Sequence, residues 1–335
     1  MLPSGNIKLN TVSGVGSGLV DFLIFGDDSL IVDMAVEKGG MTLVERNVID
    51  SVLERINKED LIIVPGGAAC NTIVGISQLG GSARFIGKIG LDNKGNLFEK
   101  ALRERNVEPC LFYSALTTGQ VISIITPDAQ RTMLTYLGAS SEISPEEIIP
   151  EHFKNSKLVH VEGYLLFNQE LLIKILEYAK YSGALVSLDL SSFTVVSEYL
   201  ETLNELIPRY VDILIGNEDE AKAYTGHNDG VKILKSMAKN VDIAVLKLGE
   251  RGSLISYYDS IYDIKPFPME NAIDTTGAGD LWAAGFLFGI VNNFSPEKCG
   301  ELASVCGGEV CSVVGASIPN DSWRKIKDVM CRLQN

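Results

Sequence analysis

One seven-residue stretch of the chain brings together the groups that phosphate chemistry needs, Asp274-Thr275-Thr276-Gly277-Ala278-Gly279-Asp280. It precedes an apolar run rich in small residues, 281–289, which the pattern predicts to be a buried helix. Backbone N–H groups at a helix start have no intrahelical partner, and the helix dipole adds roughly half a positive charge there. The stretch therefore predicts an anion-binding turn with Asp280 at its mouth.

A carboxylate beside such a turn can accept a proton from a hydroxyl while the turn holds the phosphate under attack. This pairing indicates an ATP-dependent kinase that phosphorylates an alcohol. The alternative is a simple capped helix. Asp, Thr and Gly are all common at helix starts, and the dipole alone favours an acid in the first turn.

The seven residues resemble the signature of the ribokinase-like (PfkB) carbohydrate kinase family, whose last Asp is the catalytic base. The resemblance implies that Asp280 is this base. It also implies that the N–H groups of Gly277, Ala278 and Gly279 form the anion hole. Some members use a monovalent cation such as K⁺ near the first Asp of the signature, a position that Asp274 matches.

Further motifs of this family lie in the N-terminal part of the chain. Asp21 matches an Asp that binds sugar hydroxyls, and Gly67 and Asn71 match the family's Gly-Gly followed by Asn. Arg131 matches an Arg that reaches the transferring phosphate, a task that suits a guanidinium. The alternatives are a turn Asp, a glycine turn with an incidental Asn, and a solvated strand Arg. The resemblance implies that Asp21, Gly67 and Asn71 bind the acceptor.

Two motifs in the second half are similar to the family's ATP and metal sites. Asn217 and Glu220 match an Asn-x-x-Glu pattern that orders Mg²⁺ and its waters, the carboxylate acting through the cation. An acidic N-capped helix is the alternative. Lys247, Gly249 and Gly252 match a strand–Gly–x–x–Gly segment that lines the ATP site, where Lys247 faces phosphate or caps the sheet. ATP and Mg²⁺ are thus the implied cofactors.

The elements that must position these residues alternate along the second half of the chain. Predicted strands lie at 157–162, 184–190, 211–215 and 241–248, with helical stretches near 168–181, 194–208, 217–225 and 229–239. This alternation predicts an α/β fold with a mainly parallel sheet and helices on both faces. Ligands bind such sheets beyond the carboxyl ends of the strands.

Two segments of the first half have a different pattern. Residues 26–46 suggest short strands, and the runs 119–126 and 131–137 predict a hairpin joined by Pro127-Asp128-Ala129-Gln130. Members of the family carry a β lid over the substrate. We expect insertions at about 26–46 and 111–137 to form this lid on a single ribokinase-like domain spanning 1–335.

Composition narrows the class of protein. The chain of 335 residues has 29 basic and 43 acidic residues, a net charge of −14, which disfavours nucleic-acid binding. Its six cysteines form no C-x-x-C pair, as expected of reduced cytosolic thiols. We see no signal-peptide pattern and no apolar run of about 18 residues, so we expect a cytoplasmic protein without a membrane partner. A monomer and a homodimer are both open.

Two other classes of function are alternatives to a kinase. Gly14, Gly16 and Gly18 suggest a dinucleotide site, but the later glycine and the following helix of that fingerprint are missing. A ligand-binding module that keeps the fold without catalysis is the second alternative. The presence of Asp280 and of the anion-hole glycines argues against it.

The acceptor is suggested by the segment 131–139 and by the lid sequence, which look similar to those of bacterial adenosine-kinase-like members. A ribose-bearing nucleoside, adenosine first, is therefore the expected acceptor, and a free sugar such as ribose, fructose or a keto-sugar acid is the alternative. The implied reaction is in-line transfer of the γ-phosphate of MgATP to a primary hydroxyl, in which positioning and electrostatics carry the rate.

Overall fold

The computed structural model of the chain describes residues 10–34, 36–56, 61–269 and 272–334, and the predicted domain 1–335 and lid segment 26–46 extend over residues outside these ranges. The strands are β1 (Thr11–Val15), β2 (Leu19–Phe25), β3 (Met41–Leu43), β4 (Ile62–Gly66), β5 (Ser82–Gly90), β6 (Val107–Ser114), β7 (Gly119–Ile125), β8 (Arg131–Tyr136), β9 (Ser156–Glu162), β10 (Leu185–Asp189), β11 (Ile213–Asn217), β12 (Ile243–Lys247), β13 (Ser253–Tyr257) and β14 (Ser260–Ile264). The α-helices are α1 (Asp28–Asp33), α2 (Arg46–Arg55), α3 (Ala68–Gln78), α4 (Asn93–Glu104), α5 (Gln169–Tyr181), α6 (Phe193–Glu198), α7 (Leu200–Tyr210), α8 (Glu218–Thr225), α9 (Gly230–Met237), α10 (Ala278–Val291), α11 (Pro296–Val310) and α12 (Asn320–Gln334).

Nine strands form the larger sheet, in the order β14-β13-β12-β11-β10-β9-β1-β5-β6. The neighbours from β12 to β6 run parallel, and β13 and β14 add an antiparallel edge. The predicted mainly parallel sheet is therefore confirmed. Its carboxyl ends bring Glu162, Asp189, Asn217 and Lys247 to one edge of the sheet, because each ends its strand.

Helices cover both faces of this sheet, as the sequence predicts. The core on one face includes side chains of α3, α4, α10, α11 and α12. The core on the other face includes side chains of α5 to α9. The central strands β1, β9 and β10 are buried on both sides, and the polar residues Ser13, His160 and Ser187 within them are buried as well.

The helix that follows the anion-binding turn, α10, is apolar around its circumference and buried from Leu281 to Gly289. Small residues let its neighbours approach closely. A Cβ at Gly285 would lie 2.8 Å from the Ala303 Cα in α11, and one at Gly75 in α3 would lie 2.6 Å from the Ala284 Cβ. The middle of α10 is therefore held between α3 and α11.

The second sheet has five strands in the order β3-β8-β7-β2-β4, and its core includes side chains of α1 and α2. The predicted hairpin is confirmed, because β7 and β8 pair antiparallel. The expectation of short strands at 26–46 is wrong for most of the segment, because its described residues form the helix α1 and the strand β3 and reach the start of α2. Residues 111–114 of the other predicted insertion belong to β6 of the larger sheet.

The helix α1 forms because Asp27 caps it and Ile31 is buried against the second sheet. The second sheet also contains β2 and β4, which lie outside both predicted insertions. Its bounds therefore differ from those of the predicted lid, and the single-domain organisation stays a prediction. Within the residues described, no helix is long and apolar enough to cross a bilayer.

Candidate active site

A cleft of about 1450 Å³ lies where the carboxyl ends of the large sheet face the second sheet. Nearly all the predicted site residues line this cleft: Asp21, Gly67, Asn71, Arg131, Asn217, Glu220, Lys247, Gly249, Gly252, Gly277, Ala278, Gly279 and Asp280. Asp274 is the exception, since it is fully buried behind the anion-binding turn. Residues predicted from separate motifs thus meet in one place.

Asp274 shapes the turn from behind. Its carboxylate accepts hydrogen bonds from Thr276 N at 2.8 Å, Thr276 Oγ1 at 2.6 Å and Gly315 N at 2.7 Å. Gly277 adopts a left-handed conformation with φ of +75° at the start of α10. A Cβ at that position would lie 2.5 Å from the Ala316 Cβ, so only glycine fits. The role of Asp274 at a monovalent cation stays a prediction.

Asp280 lies in the first turn of α10 and opens on the cleft. Its Oδ2 accepts a hydrogen bond of 2.9 Å from Asn71 Nδ2, and Thr72 Oγ1 donates to its backbone carbonyl at 3.1 Å. Burial raises the pKa of Asp280, while the Asn71 hydrogen bond and the positive charge of Arg131 lower it. A carboxylate with a raised pKa, fixed beside an anion-binding turn, can serve as a general base.

Asp21 is a buried carboxylate at the other end of the cleft, on β2. Within the described part of the chain no group hydrogen-bonds to it, so its oxygens are free for a ligand. Burial raises the pKa of Asp21 to about 6, with Arg131 lowering it and Asp280 raising it. A side chain at Gly66 would collide with this carboxylate.

Gly67 begins α3 and brings Asn71 into the cleft. Its φ is +97°, and a Cβ there would lie 2.5 Å from the Ser17 carbonyl oxygen, so the position requires glycine. The strands of the second sheet beside β2 add Met41, Val121, Met133 and Thr135 to the lining of the cleft. The end of the cleft near Asp21 thus combines two side chains that can form hydrogen bonds with a wall that is largely apolar.

Arg131 begins β8 and faces the same cleft. Among the described residues its guanidinium forms no hydrogen bond or salt bridge, yet its charge lowers the pKa values of both Asp21 and Asp280. The guanidinium is therefore an unpaired cation near the two carboxylates. Such a group is suited to an anionic ligand.

Lys247 ends β12 and reaches the anion-binding turn. Its Nζ lies 2.9 Å from Asp189 Oδ2, and a Cβ at Gly279 would lie 3.1 Å from the same nitrogen. Burial disfavours the charge on Lys247, but Asp189 and Glu220 outweigh it and raise the pKa of the ammonium. The lysine stays charged beside the N–H groups of the turn.

Asn217 and Glu220 form a reciprocal capping box at the start of α8. Glu220 Oε2 accepts from Asn217 N at 2.8 Å, Glu220 Oε1 accepts from Asn217 Nδ2 at 2.7 Å, and Asn217 Oδ1 accepts from Glu220 N at 2.9 Å. Burial raises the pKa of Glu220 to about 7, and Lys247 lowers it. Asn217 and Glu220 therefore cap the helix, as the alternative interpretation of the motif predicts. Both residues also line the cleft.

Gly249 and Gly252 lie next to Lys247 at the wide end of the cleft. Both have positive φ, +59° and +87°, which favours glycine. The lining of the cleft continues beside them with Pro266, Phe267, Pro268, Gly307 and Gly308, since Gly252 lies against Pro266 and Gly308 against Phe267.

Comparison with known proteins decides the family. The model for the pfkB family of carbohydrate kinases matches residues 44–323. The chain belongs to this family. It is 25% identical over 334 residues to the probable fructokinase-2 of Arabidopsis thaliana, with 93% of this chain and 96% of that protein covered.

Two solved structures show the same architecture. The probable sugar kinase from Rhizobium etli matches with a TM-score of 0.92 and 28% identity, covering 97% of this chain and 99% of that one. The adenosine kinase from Sinorhizobium meliloti matches with a TM-score of 0.90 and 29% identity, covering 96% and 99%. This pfkB protein is therefore a sugar or nucleoside kinase, a phosphotransferase with an alcohol acceptor, and its family implies ATP and typically Mg²⁺.

The donor set of this pfkB kinase suits a magnesium ion held mainly by phosphate and water. Within the described residues, no group of three or more acidic, His or Cys side chains could hold a metal alone. Mg²⁺ at nucleotide sites is typically bound by one or two carboxylates together with substrate phosphates and waters. Glu220 and Asp189, both oxygen donors in the cleft, fit that requirement.

Sequence reasoning missed two acidic residues of the cleft, Glu162 and Asp189. Glu162 Oε1 accepts from Ser17 N at 2.8 Å and Oε2 from Ala69 N at 3.0 Å, and burial raises the pKa of Glu162 to about 7. Both residues end strands, β9 and β10, that the sequence predicts. An acid at the carboxyl end of a predicted parallel strand was the signal that could have revealed them.

Proposed function

We propose that this pfkB kinase transfers the γ-phosphate of ATP to the primary hydroxyl of a nucleoside, with adenosine as the first candidate. The observation that carries the proposal is the position of Asp280. Its carboxylate lies beside the anion-binding turn and accepts a hydrogen bond from Asn71, which lines the same cleft as Asp21. An acceptor hydroxyl bound by Asp21 and Asn71 would therefore lie next to both the base, Asp280, and the phosphate bound at the turn.

The acceptor is held by Asp21 and Asn71, with Gly67 giving room for its close approach. Asp280 accepts the proton of the attacking hydroxyl. Because its pKa is raised, the Asp280 carboxylate binds a proton more strongly than an ordinary aspartate does. A general base works best when its pKa lies close to the pH at which the enzyme operates. The second sheet covers this end of the cleft and limits the access of water that could take the phosphate instead.

The phosphoryl group is held by donors that converge on the start of α10. The N–H groups of Gly277 and Gly279 provide the anion hole, and Lys247 and Arg131 add two cations. The N–H group of Ala278, which the family motif also assigns to the hole, donates to the Thr275 carbonyl oxygen at 3.1 Å in this structure. The rate acceleration comes from stabilising the charge on the phosphoryl group and from aligning it with the attacking hydroxyl, since the protein makes no covalent bond to the phosphate.

Glu220, through water, and Asn217 would hold Mg²⁺, which when bound neutralises charge on the phosphate oxygens. Lys247, Gly249 and Gly252 line the ATP end of the cleft. The Lys247 side chain and the backbone of the two glycines orient the nucleotide so that its terminal phosphate faces Asp280. In this assignment, ATP and the acceptor bind at opposite ends of the cleft.

The apolar wall of the acceptor end supports a nucleoside. Two methionines of the second sheet, Met41 and Met133, line that end, a surface that suits a planar base and is more than a sugar needs. The second candidate is a free sugar. It is supported by the similarity over almost the whole chain to the probable fructokinase-2 of Arabidopsis thaliana.

A panel of nucleosides and sugars assayed with MgATP separates these candidates. ADP release and the phosphorylated product are both measured, with the Asp280→Asn variant as control. We expect adenosine to give the highest kcat/KM. Turnover with ribose, fructose or a keto-sugar acid alone would favour the sugar kinase. Ligand binding without any ADP release would indicate a non-catalytic module.

A further inference from the structure

The tip of the β7–β8 hairpin contacts the anion-binding turn through Ala129. Thr275 Oγ1 donates a hydrogen bond of 2.8 Å to the carbonyl oxygen of Ala129, and Thr275 N donates a longer one of 3.4 Å to the same oxygen. The partners lie 146 residues apart in sequence. This contact joins the second sheet to the start of the DTTGAGD stretch.

The tip itself is a well-defined turn. Thr126 N donates to Gln130 O at 3.0 Å, and Ala129 N donates to Thr126 O at 2.8 Å. The Asp128 carboxylate accepts from Thr126 Oγ1 at 2.5 Å and from Lys38 Nζ at 2.8 Å. The carbonyl of Ala129 is therefore presented by a turn that is closed by its own hydrogen bonds.

Arg131 follows this tip directly. It lies two residues beyond Ala129 and pairs with Ile125 across the hairpin. Since no described residue hydrogen-bonds to its guanidinium, the backbone of the hairpin decides where Arg131 lies. Thr275 lies two residues before Gly277, so the contact fixes the start of β8 against the anion-binding turn.

We propose that Thr275 is a positioning residue for Arg131. Its hydroxyl holds the hairpin tip on the turn, so that the guanidinium and the N–H donors face the same phosphoryl group. The inference rests on the proposed role of Arg131 in phosphoryl transfer. Thr276 has a different task, because its hydroxyl donates to Asp274 and shapes the turn internally.

Four variants test this role: Thr275→Val, Thr275→Ser, Arg131→Ala and the double variant Thr275→Val/Arg131→Ala. Valine removes the hydroxyl at nearly constant volume. We expect kcat to fall about threefold to tenfold with little change in either KM, and Thr275→Ser to restore it. In the Arg131→Ala background, Thr275→Val should lower kcat by less than about twofold, because the hydroxyl acts through Arg131.

Hydrogen exchange without substrates gives a readout that does not depend on catalysis. The amides of 126–132 should exchange faster in Thr275→Val than in the wild type and in Thr275→Ser, with the melting temperature confirming a folded protein. Unchanged exchange would overturn the docking role. Equal losses of kcat with and without Arg131 would overturn the positioning of Arg131.

These outcomes remain separate from the test of the proposed function. Absence of phosphoryl transfer by the wild type with every acceptor would overturn the proposed function and the role of Thr275 in it together. Rapid transfer by the wild type with additive losses in the double variant would overturn the role of Thr275 alone.

Discussion

Asn71 Nδ2 donates a hydrogen bond of 2.9 Å to Asp280 Oδ2, across 209 residues of sequence. The two side chains come from α3 and α10, which approach closely because Gly75 faces Ala284. The candidate base is therefore held by a pair of packed helices. The hydrogen bond stabilises the ionised carboxylate and opposes the effect of burial on its pKa.

Replacing Asn71 with alanine should shift the acidic limb of the profile of kcat/KM against pH. Asp280 acts as a base when deprotonated, so activity rises with pH through its pKa. Loss of the Asn71 hydrogen bond raises that pKa, and the limb moves to higher pH. We also expect a higher KM for the acceptor, since Asn71 is proposed to bind it.

The Thr72→Val variant is the matched control for this measurement. Thr72 also bonds to Asp280, but through the backbone carbonyl and not the carboxylate. Its acidic limb should stay at the wild-type pH. An Asn71→Ala profile with an unmoved limb would show that this hydrogen bond does not tune the base.

Changing Lys247 to methionine should weaken ATP binding and lower the stability of the fold, for two different reasons. The KM for ATP should rise, because a cation next to Gly279 is lost. The free energy of unfolding should fall by roughly 3 kcal/mol, because Asp189 is left buried without its partner. The two effects are measured by initial rates and by urea unfolding.

The double variant Lys247→Met/Asp189→Asn distinguishes these routes. Removing the unpaired carboxylate should restore most of the stability while the KM for ATP stays high. Recovery of ATP affinity in the double variant would mean that Lys247 only balances Asp189 and does not contact the nucleotide.

The Glu220→Gln variant should raise the Mg²⁺ concentration needed for half-maximal rate and lower kcat, with little change in acceptor binding. A glutamine keeps the size of the side chain but removes the charge that acts through the cation. Glu218→Gln, two residues earlier in the same helix, is the control and should keep the wild-type Mg²⁺ dependence. Identical Mg²⁺ titrations for both variants would remove Glu220 from the metal site.

The sequence predicts the large sheet well because its strands are buried on both faces. Short runs with a core of branched apolar residues, such as 157–162 and 184–190, are separated by amphipathic helices, and few other structures produce this alternation. Most site residues are also predictable, because each family motif places its functional residue at a strand end or helix start. These are positions that the fold brings to one edge.

The second sheet is less predictable because tertiary contacts decide it. The six residues of α1 are too few for a clear helical pattern, and its stability comes from the Asp27 cap and the burial of Ile31. Pro65 and Gly66 resemble a turn but belong to β4, where the missing side chain of Gly66 makes room for the Asp21 carboxylate. No local pattern encodes these relationships.

The ion pair of Asp189 and Lys247 shows a second reason why part of the site cannot be predicted from the sequence. The residues end strands β10 and β12, which are separated by β11 in the sheet, and they meet only because all three strands end at the same edge. The spacing of 58 residues carries no signal by itself. Strand order must be known before such a pair can be predicted.

The most direct test of the account is the turnover of the Asp280→Asn variant with MgATP and its best acceptor. Asparagine keeps the size and the hydrogen bond from Asn71 but cannot take a proton. We expect kcat to fall on the order of 10²–10⁴-fold while acceptor affinity changes far less, with a change in unfolding free energy under about 1 kcal/mol. Near-normal turnover of a folded Asp280→Asn protein would contradict the assignment of Asp280 as the base.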